Sequence, residues 1–324
     1  MTRREAHWIV GPGALGRLIG LRLATHRAPA VSVTLVGRRR LSREQVLVTP
    51  EGERLAARVT TASLDALPGG APDRLHLTTK AYAAEAAYAS LAPHLPPGTP
   101  LVLWQNGFGC QPRLSQRHEG PVLCATTTEG AYLEEQAAGD ARVVHAGHGE
   151  TLVGSLDGHH AELADELAAT LTAAGLPTRA VGDIRQRLWQ KLAVNAAINP
   201  LVARFRIRNG QLRDRPFRPL VEAIIDEVAA ILAAEGIAPP GVEGGESAGG
   251  LEGWRALVWR VVAGTANNRA SMLQDVLAGR PTEHEAILGP LLAAADGHHL
   301  PTPRLAELAA WLRSRDLAQA GRAC

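Results

Sequence analysis

The sequence predicts an α/β protein in two parts: a parallel-sheet domain over residues 1–182 and an all-helical domain over 183–324. Three observations carry this. Short apolar runs alternate with helical patterns through the first half, as in βαβ units. A glycine-rich turn joins the first apolar run to the first helical pattern. From Asp183 onward the pattern is almost wholly helical. A chain of 324 residues, 46% hydrophobic and 20% charged, has the size and composition of about two globular domains.

The first apolar run, His7-Trp-Ile-Val10, enters Gly11, Pro12, Gly13, Ala14, Leu15 and Gly16, and a helical pattern follows over 17–25. This is GxGxxG with a strand before it and a helix after it. There the glycines allow a tight turn and close backbone approach to a pyrophosphate, while the helix N-terminus offers unpaired N–H groups. The competing reading is a plain strand-to-helix turn. In this context the motif marks a Rossmann-type dinucleotide-binding domain.

The next strand, 30–36, ends in Gly37-Arg-Arg-Arg40. A unit that binds NAD usually places an acid there for the ribose 2′-hydroxyl. Here arginines follow at once, and Arg38, with Arg39 beside it, suits a 2′-phosphate. A charge-assisted bond of this kind contributes roughly 1.5–3 kcal/mol. That favours NADPH over NADH by about one to two powers of ten, so the expected cofactor is NADP(H). A solvated loop is the bland alternative; a nucleic-acid patch would need a wider basic face.

Residues 46–59 read as a hairpin turning at Glu51-Gly52. A strand over 74–79 leads to Lys80-Ala-Tyr82, and a helix over 83–95 stops at Pro96-Pro97-Gly98. The strand 100–104 carries Gln105-Asn106-Gly107 at its carboxyl end, and the strand 122–126 ends in Thr126-Thr-Thr-Glu-Gly130. Ligands of open parallel sheets sit beyond those carboxyl ends. Lys80, Asn106 and the threonines therefore fall on the rim where the glycine turn puts a cofactor. Antiparallel strands at 142–145 and 150–154, a helix over 162–174 and a strand over 177–181 complete the first domain.

In the helical half, Lys191, Asn195 and Asn199 recur at a spacing of four within Leu188-Trp-Gln-Lys-Leu-Ala-Val-Asn-Ala-Ala-Ile-Asn-Pro-Leu201, so they share one helix face. The remaining circumference is apolar, which describes a buried helix. Its polar stripe must meet a ligand or partner groups, because unpaired buried amides and ammonium ions are costly. One ammonium and two amides suit an anionic, oxygen-rich small molecule. Alternatively, the asparagines bond nearby backbone and Lys191 reaches water. Pro200 should break or bend this helix. Further helices are expected over 218–235, 251–277, 283–296 and 304–316, with 239–250 a flexible glycine-rich loop. Asn268 and Ser271, three apart, should lie on one helical face. Thr282 should cap the next helix, with Glu283 in its first turn. Trp254 and Trp259 are core residues or a subunit contact, and a homodimer is left open.

The totals exclude several classes. A formal net charge of +2 argues against nucleic acid or a membrane surface as partner. Cys110, Cys124 and Cys324 form an odd set without CxxC spacing, so neither a disulfide framework nor a metal site is expected. No signal-peptide pattern and no apolar run near the ~20 residues of a membrane helix is present, which points to a cytoplasmic protein.

Taken in order, Gly11-Pro-Gly-Ala-Leu-Gly16, Thr79-Lys-Ala-Tyr82, Asn106-Gly107, Thr126-Thr-Thr128, Leu188-Trp-Gln-Lys-Leu-Ala-Val-Asn195, Asn199-Pro200, Ser271-Met-Leu-Gln-Asp275 and Thr282-Glu283 resemble the ketopantoate reductases (2-dehydropantoate 2-reductases) over nearly the whole chain. The resemblance implies a two-domain, NADPH-dependent reductase that converts 2-dehydropantoate to (R)-pantoate for pantothenate synthesis. It implies that Lys191 is the catalytic general acid and Glu283 the active-site glutamate. Asn195, Asn199, Asn268 and Ser271 match substrate-binding positions, Lys80 and Asn106 cofactor-side positions, and Arg38 the residue at the NADP phosphate. There are departures. Glu129 stands where His often follows the threonines, and Ala270 stands where a second Ser is common. His284-Glu285 and then Leu288-Gly289 replace Ile-Asp and then Asn-Gly. These leave open a reductase of another 2-oxo acid; a non-catalytic NADP(H)-binding sensor is the alternative of a different class.

Overall fold

The structure is a computed structural model that describes residues 4–26, 31–136, 139–241 and 249–320. It divides into two compact units: Met1–Gln105 with Cys110–Arg185, and Asn106–Gly109 with Gln186–Cys324.

Unit 1 opens with β1 (Glu5–Val10), α1 (Ala14–Thr25) and β2 (Val31–Gly37). After β3 (Glu44–Val48), β4 (Arg54–Arg58) and β5 (Thr60–Ser63) come β6 (Arg74–Leu77), α2 (Ala81–Leu91), β7 (Leu101–Leu103), α3 (Cys110–Arg117) and β8 (Val122–Thr127). The unit ends with β9 (Gly130–Gln136), β10 (Gly139–Gly147), β11 (Thr151–Gly154), α4 (Ala161–Ala173) and β12 (Thr178–Ala180). Eight strands form the main sheet in the order β12-β11-β8-β7-β6-β1-β2-β5. From β5 to β8 every neighbouring pair is parallel. Parallel strands covered on both faces should read as continuous apolar runs, and β7 and β8 are buried throughout. Strand order reverses at β1, whose carboxyl end carries the glycine turn, so the turn lies at the topological switch point.

A second sheet, β4-β3-β10-β9, holds the expected hairpin. Gly52 takes φ +85° there, the left-handed region that a side chain resists. The strand after it does not stop at Arg58. Val59 bonds back to Arg43, and the next four residues form β5 on the edge of the main sheet, beside β2. The expected strands 142–145 and 150–154 belong to different sheets. The first lies in β10, paired with β9 and β3, and the second is β11, antiparallel to β8.

Unit 2 is built from α5 (Ile184–Phe205), α6 (Arg218–Ala234), α7 (Gly250–Gly264), α8 (Ser271–Leu277), α9 (His284–Gly297) and α10 (Pro303–Ala320). Residues 242–248 of the glycine-rich stretch lie outside the described residues. Pro200 does not break α5, which runs on to Phe205. A proline inside a helix costs about 3 kcal/mol. Ile198, Leu201 and Val202 around it are each no more than 2% exposed. Burying three such side chains contributes about 1.5–3 kcal/mol apiece, which outweighs that cost.

The single helix expected over 251–277 is two. Thr265 Oγ1 donates to the Val261 carbonyl at 2.7 Å as α7 ends, and Asn268 N bonds Thr265 O at 2.8 Å to close a turn. A 3₁₀ turn at Asn209–Arg213 then engages the connection: Asn209 N donates to Asn268 O and Gly210 N to Ala266 O. Asn268 is therefore an exposed turn residue, not a partner of Ser271 on a helix face. Among the described residues, no helix is long and apolar enough to cross a membrane.

Candidate active site

In unit 1 the glycine turn is built from three differently constrained positions. Gly11 has φ +89°, and a Cβ there would lie 2.6 Å from Thr79 N. A Cβ on Gly16 would overlap Thr78 Oγ1 and the Gly11 carbonyl, so this glycine lets α1 pack against the strands. Gly13 is different: a Cβ there would meet only Gly11 O, at 3.9 Å. The middle glycine faces open space where a ligand's backbone would pass. Gly13 is also the N-cap of α1, without a side-chain cap or an acid in the first turn. Its first amides are thus offered to an anion.

Supports surround the turn. Thr78 Oγ1 donates to Val10 O and Gly11 O at 2.9 and 2.8 Å. Arg17, buried in α1, donates through Nε to Pro12 O at 3.1 Å and through Nη1 to Gln45 Oε1 and Ala141 O. Sequence reasoning missed this clamp; its only signal was a cation inside an otherwise apolar helical pattern. Arg38 is exposed one residue beyond the end of β2. Lys80 is half-buried at the N-cap of α2. At the carboxyl ends of β6 and β7, Thr79 Oγ1 and Gln105 Oε1 are buried polar atoms without a partner. The Gln105 amide nitrogen donates to Leu77 O and Thr79 O. Open Gly13, the α1 amides and exposed Arg38 suit a dinucleotide.

In unit 2, Lys191, Asn195 and Asn199 project from α5, with Asn199 buried and the other two half-buried. Burial pulls the Lys191 pKa down to about 8, opposed by the negative charge of Glu283. Glu283, 6% exposed, is the N-cap of α9, and Thr282 is not the cap that its sequence position predicts. Thr282 instead faces Asp316 and His284. Asn106 Nδ2 lies 3.5 Å from Glu283 Oε2, a long hydrogen bond. The segment Asn106–Gly109 is held by Phe108 N donating to Ala286 O at 3.0 Å. The Phe108 ring also packs 5.2 Å from Trp189. Gly107 has φ +83° and presses on Ala286 so closely that a Cβ would overlap its carbonyl. Lys191, Glu283 and Asn106 thus come together; Asn268 is exposed between α7 and α8, and Ser271 is the exposed first residue of α8.

Of the 34 lysines and arginines in the chain, only Lys80 and Lys191 are lysine. Arginine cannot give up its proton in a protein, while a buried lysine can. Both lysines stand at sequence-predicted site positions.

A switch-point glycine turn with an anion-ready helix, and a separate helical unit bearing a poised amine beside a carboxylate, define a dinucleotide-binding oxidoreductase. Comparison with known proteins narrows the class. The family described as ketopantoate reductase PanE/ApbA matches residues 8–158, and its C-terminal counterpart matches residues 183–316. The 2-dehydropantoate 2-reductase of Vibrio cholerae is 36% identical over 91% of this chain and 92% of its own length. Among solved structures, a PanE/ApbA family ketopantoate reductase from Ralstonia eutropha superposes with a TM-score of 0.82 at 24% identity, covering 98% and 99% of the two chains. D-mandelate dehydrogenase, solved with NADH and anilino(oxo)acetate, shares the fold at a TM-score of 0.82 and 19% identity, over 98% and 99% of the chains. The chain belongs to the ketopantoate reductase family.

Proposed function

We propose that this protein reduces 2-dehydropantoate to (R)-pantoate with NADPH, a step of pantothenate synthesis, and that Lys191 is its general acid. The observation that carries the reading is half-buried Lys191 beside Glu283: desolvation brings its amine to a pKa of about 8, and the Glu283 charge opposes that shift. Such an amine holds a proton at neutral pH and releases it readily. The glycine turn and Arg38 would hold the dinucleotide, which when bound would supply the hydride that the substrate's C2 accepts and leave oxidised. Negative charge then grows on the adjacent oxygen. The Lys191 ammonium stabilises that charge and delivers the proton that completes the hydroxyl, so one hydride and one proton are added. Asn195, Asn199, Asn268 and Ser271 hold the substrate's carboxylate, Glu283 orients the hydroxyl or the amine, and Lys80 and Asn106 serve the cofactor side.

NADPH consumption with 2-dehydropantoate, measured beside pyruvate and 2-oxoisovalerate, tests the reading. A clear preference for 2-dehydropantoate is expected. Preference for another branched or aromatic 2-oxo acid would keep the chemistry and change the substrate, a reading supported by His284-Glu285 and Leu288-Gly289 standing where the family pattern differs. Binding of NADPH with no oxidation by any 2-oxo acid would mark a sensor.

A further inference from the structure

Glu283 sits between two residues that a more distant helix holds. Asp316, on α10, receives the Thr282 backbone N–H at 3.1 Å and the Thr282 hydroxyl at 3.1 Å, both on Oδ2. The same oxygen lies 3.2 Å from His284 Nδ1. The ring is fixed at its other end by Glu285 Oε1, 3.1 Å from Nε2, and Thr282 Oγ1 is 3.0 Å from Nδ1. His284 and Thr282 are 6% and 4% exposed, so their contacts with Asp316 are made away from bulk water, where they are strongest, whereas Glu285 is exposed. Arg315 pairs with the other Asp316 oxygen and reaches Arg280 O and Val276 O, so the carboxylate is itself held.

We propose that Asp316 is the positioning residue for Glu283, acting through Thr282 and His284. A side chain on a helix cap swings with the backbone of its own residue and the two beside it. Here both neighbours of Glu283 are pinned to one oxygen of another helix. The carboxylate is thereby kept where it meets Asn106 and balances Lys191. His284 belongs to this clamp, so its departure from the family pattern has a physical role in this chain. The proposal rests on Lys191 and Glu283 being the reacting pair.

The test uses the full-length protein and needs no turnover to be read. With only two lysines in the chain, isotope-labelled lysine gives two side-chain signals, and the Lys80 signal serves as an internal control. Thr282→Val removes the hydroxyl at nearly constant volume, Thr282→Ser restores it, and Asp316→Asn weakens the clamp itself. If the clamp holds Glu283 near the amine, the Lys191 titration moves down by roughly 0.5–1 pH unit in Thr282→Val and Asp316→Asn. It returns in Thr282→Ser, and the Lys80 signal stays still throughout. In the same variants kcat falls about ten- to hundred-fold with little change in KM for the 2-oxo acid. A Lys191 titration unmoved in Thr282→Val would overturn the proposal, even if melting temperature dropped. If the wild-type protein reduces no 2-oxo acid, the functional reading fails instead, and the titration still decides whether the clamp positions Glu283.

Discussion

Glu129 and His145 meet at 2.6 Å, Oε2 to Nε2, with side chains 1% and 0% exposed. Arg22 donates to the Nδ1 of the same ring at 2.8 Å, so the ring proton sits on Nε2 and points at the carboxylate. Gly149 N is a second donor to the carboxylate, 3.0 Å from Oε2. Glu129, one of the departures from the family pattern, is therefore a structural carboxylate inside unit 1.

Removing it should cost stability rather than chemistry. Glu129→Ala leaves a buried imidazole N–H and a backbone amide without acceptors. The loss is expected at about 2–3 kcal/mol, read as a lower urea midpoint with unchanged kcat per folded molecule. A wild-type midpoint would show that the pair contributes nothing.

Lys191 fixes a pH dependence whose sign follows from its pKa of about 8, against 10.5 for a free lysine. With Lys191 as the proposed general acid, reduction would need the ammonium form, so kcat should be level below the folded pKa and fall about tenfold per pH unit above it. Oxidation of the hydroxy acid needs the free amine and should show the mirror image. For stability, the unfolded chain keeps this proton up to its own higher pKa. Burial of the charge is thus a constant penalty below pH ~8, relieved between the two values. Lys191→Ala should lower kcat by about 10²–10⁴ with the helical circular dichroism retained, and the alkaline limb should vanish.

Arg38 should decide between the two nicotinamide coenzymes. Arg38→Ala is expected to raise KM for NADPH about ten- to hundred-fold and to leave KM for NADH nearly unchanged. Equal losses for both coenzymes would place Arg38 away from the 2′-phosphate.

Two glycines of the same turn should fail in different ways. Gly16→Ala forces a methyl into Thr78 and the Gly11 carbonyl, so melting temperature should fall. Gly13→Ala adds a methyl to open space, so melting temperature should hold within a few degrees while the NADPH dissociation constant rises. Calorimetry with and without NADPH separates the two.

Much of unit 1 was legible because parallel strands announce themselves as short apolar runs and the glycine turn sits between two of them. β5 was not legible: Thr60–Ser63 carries no apolar signal, and its place beside β2 is set by a chain that changes sheets at Val59. The partners of 142–145 and 150–154 were hidden for a related reason, since alternation shows that a strand exists but not which edge it joins. In unit 2 the Lys191 face could be read from its spacing of four. The break at Thr265–Ala270 could not, because side-chain capping by Thr265 and docking of a 3₁₀ turn end the helix where the sequence still looks helical. Asp316 was invisible as a support, for it acts on a residue 34 positions away, and Arg17 showed only as a charge in an apolar pattern, its farthest partner lying 124 positions on.

The four residues Asn106–Gly109 leave one globule and are built into the other. A fragment started at the apparent boundary near residue 183 would lack them, exposing Ala286 and the Trp189 ring and stripping Glu283 of its amide neighbour. During synthesis, this short excursion emerges from the ribosome long before the helices that receive it. The helical half is therefore not an autonomous cassette: its assembly waits on a strip of chain supplied by the half made first.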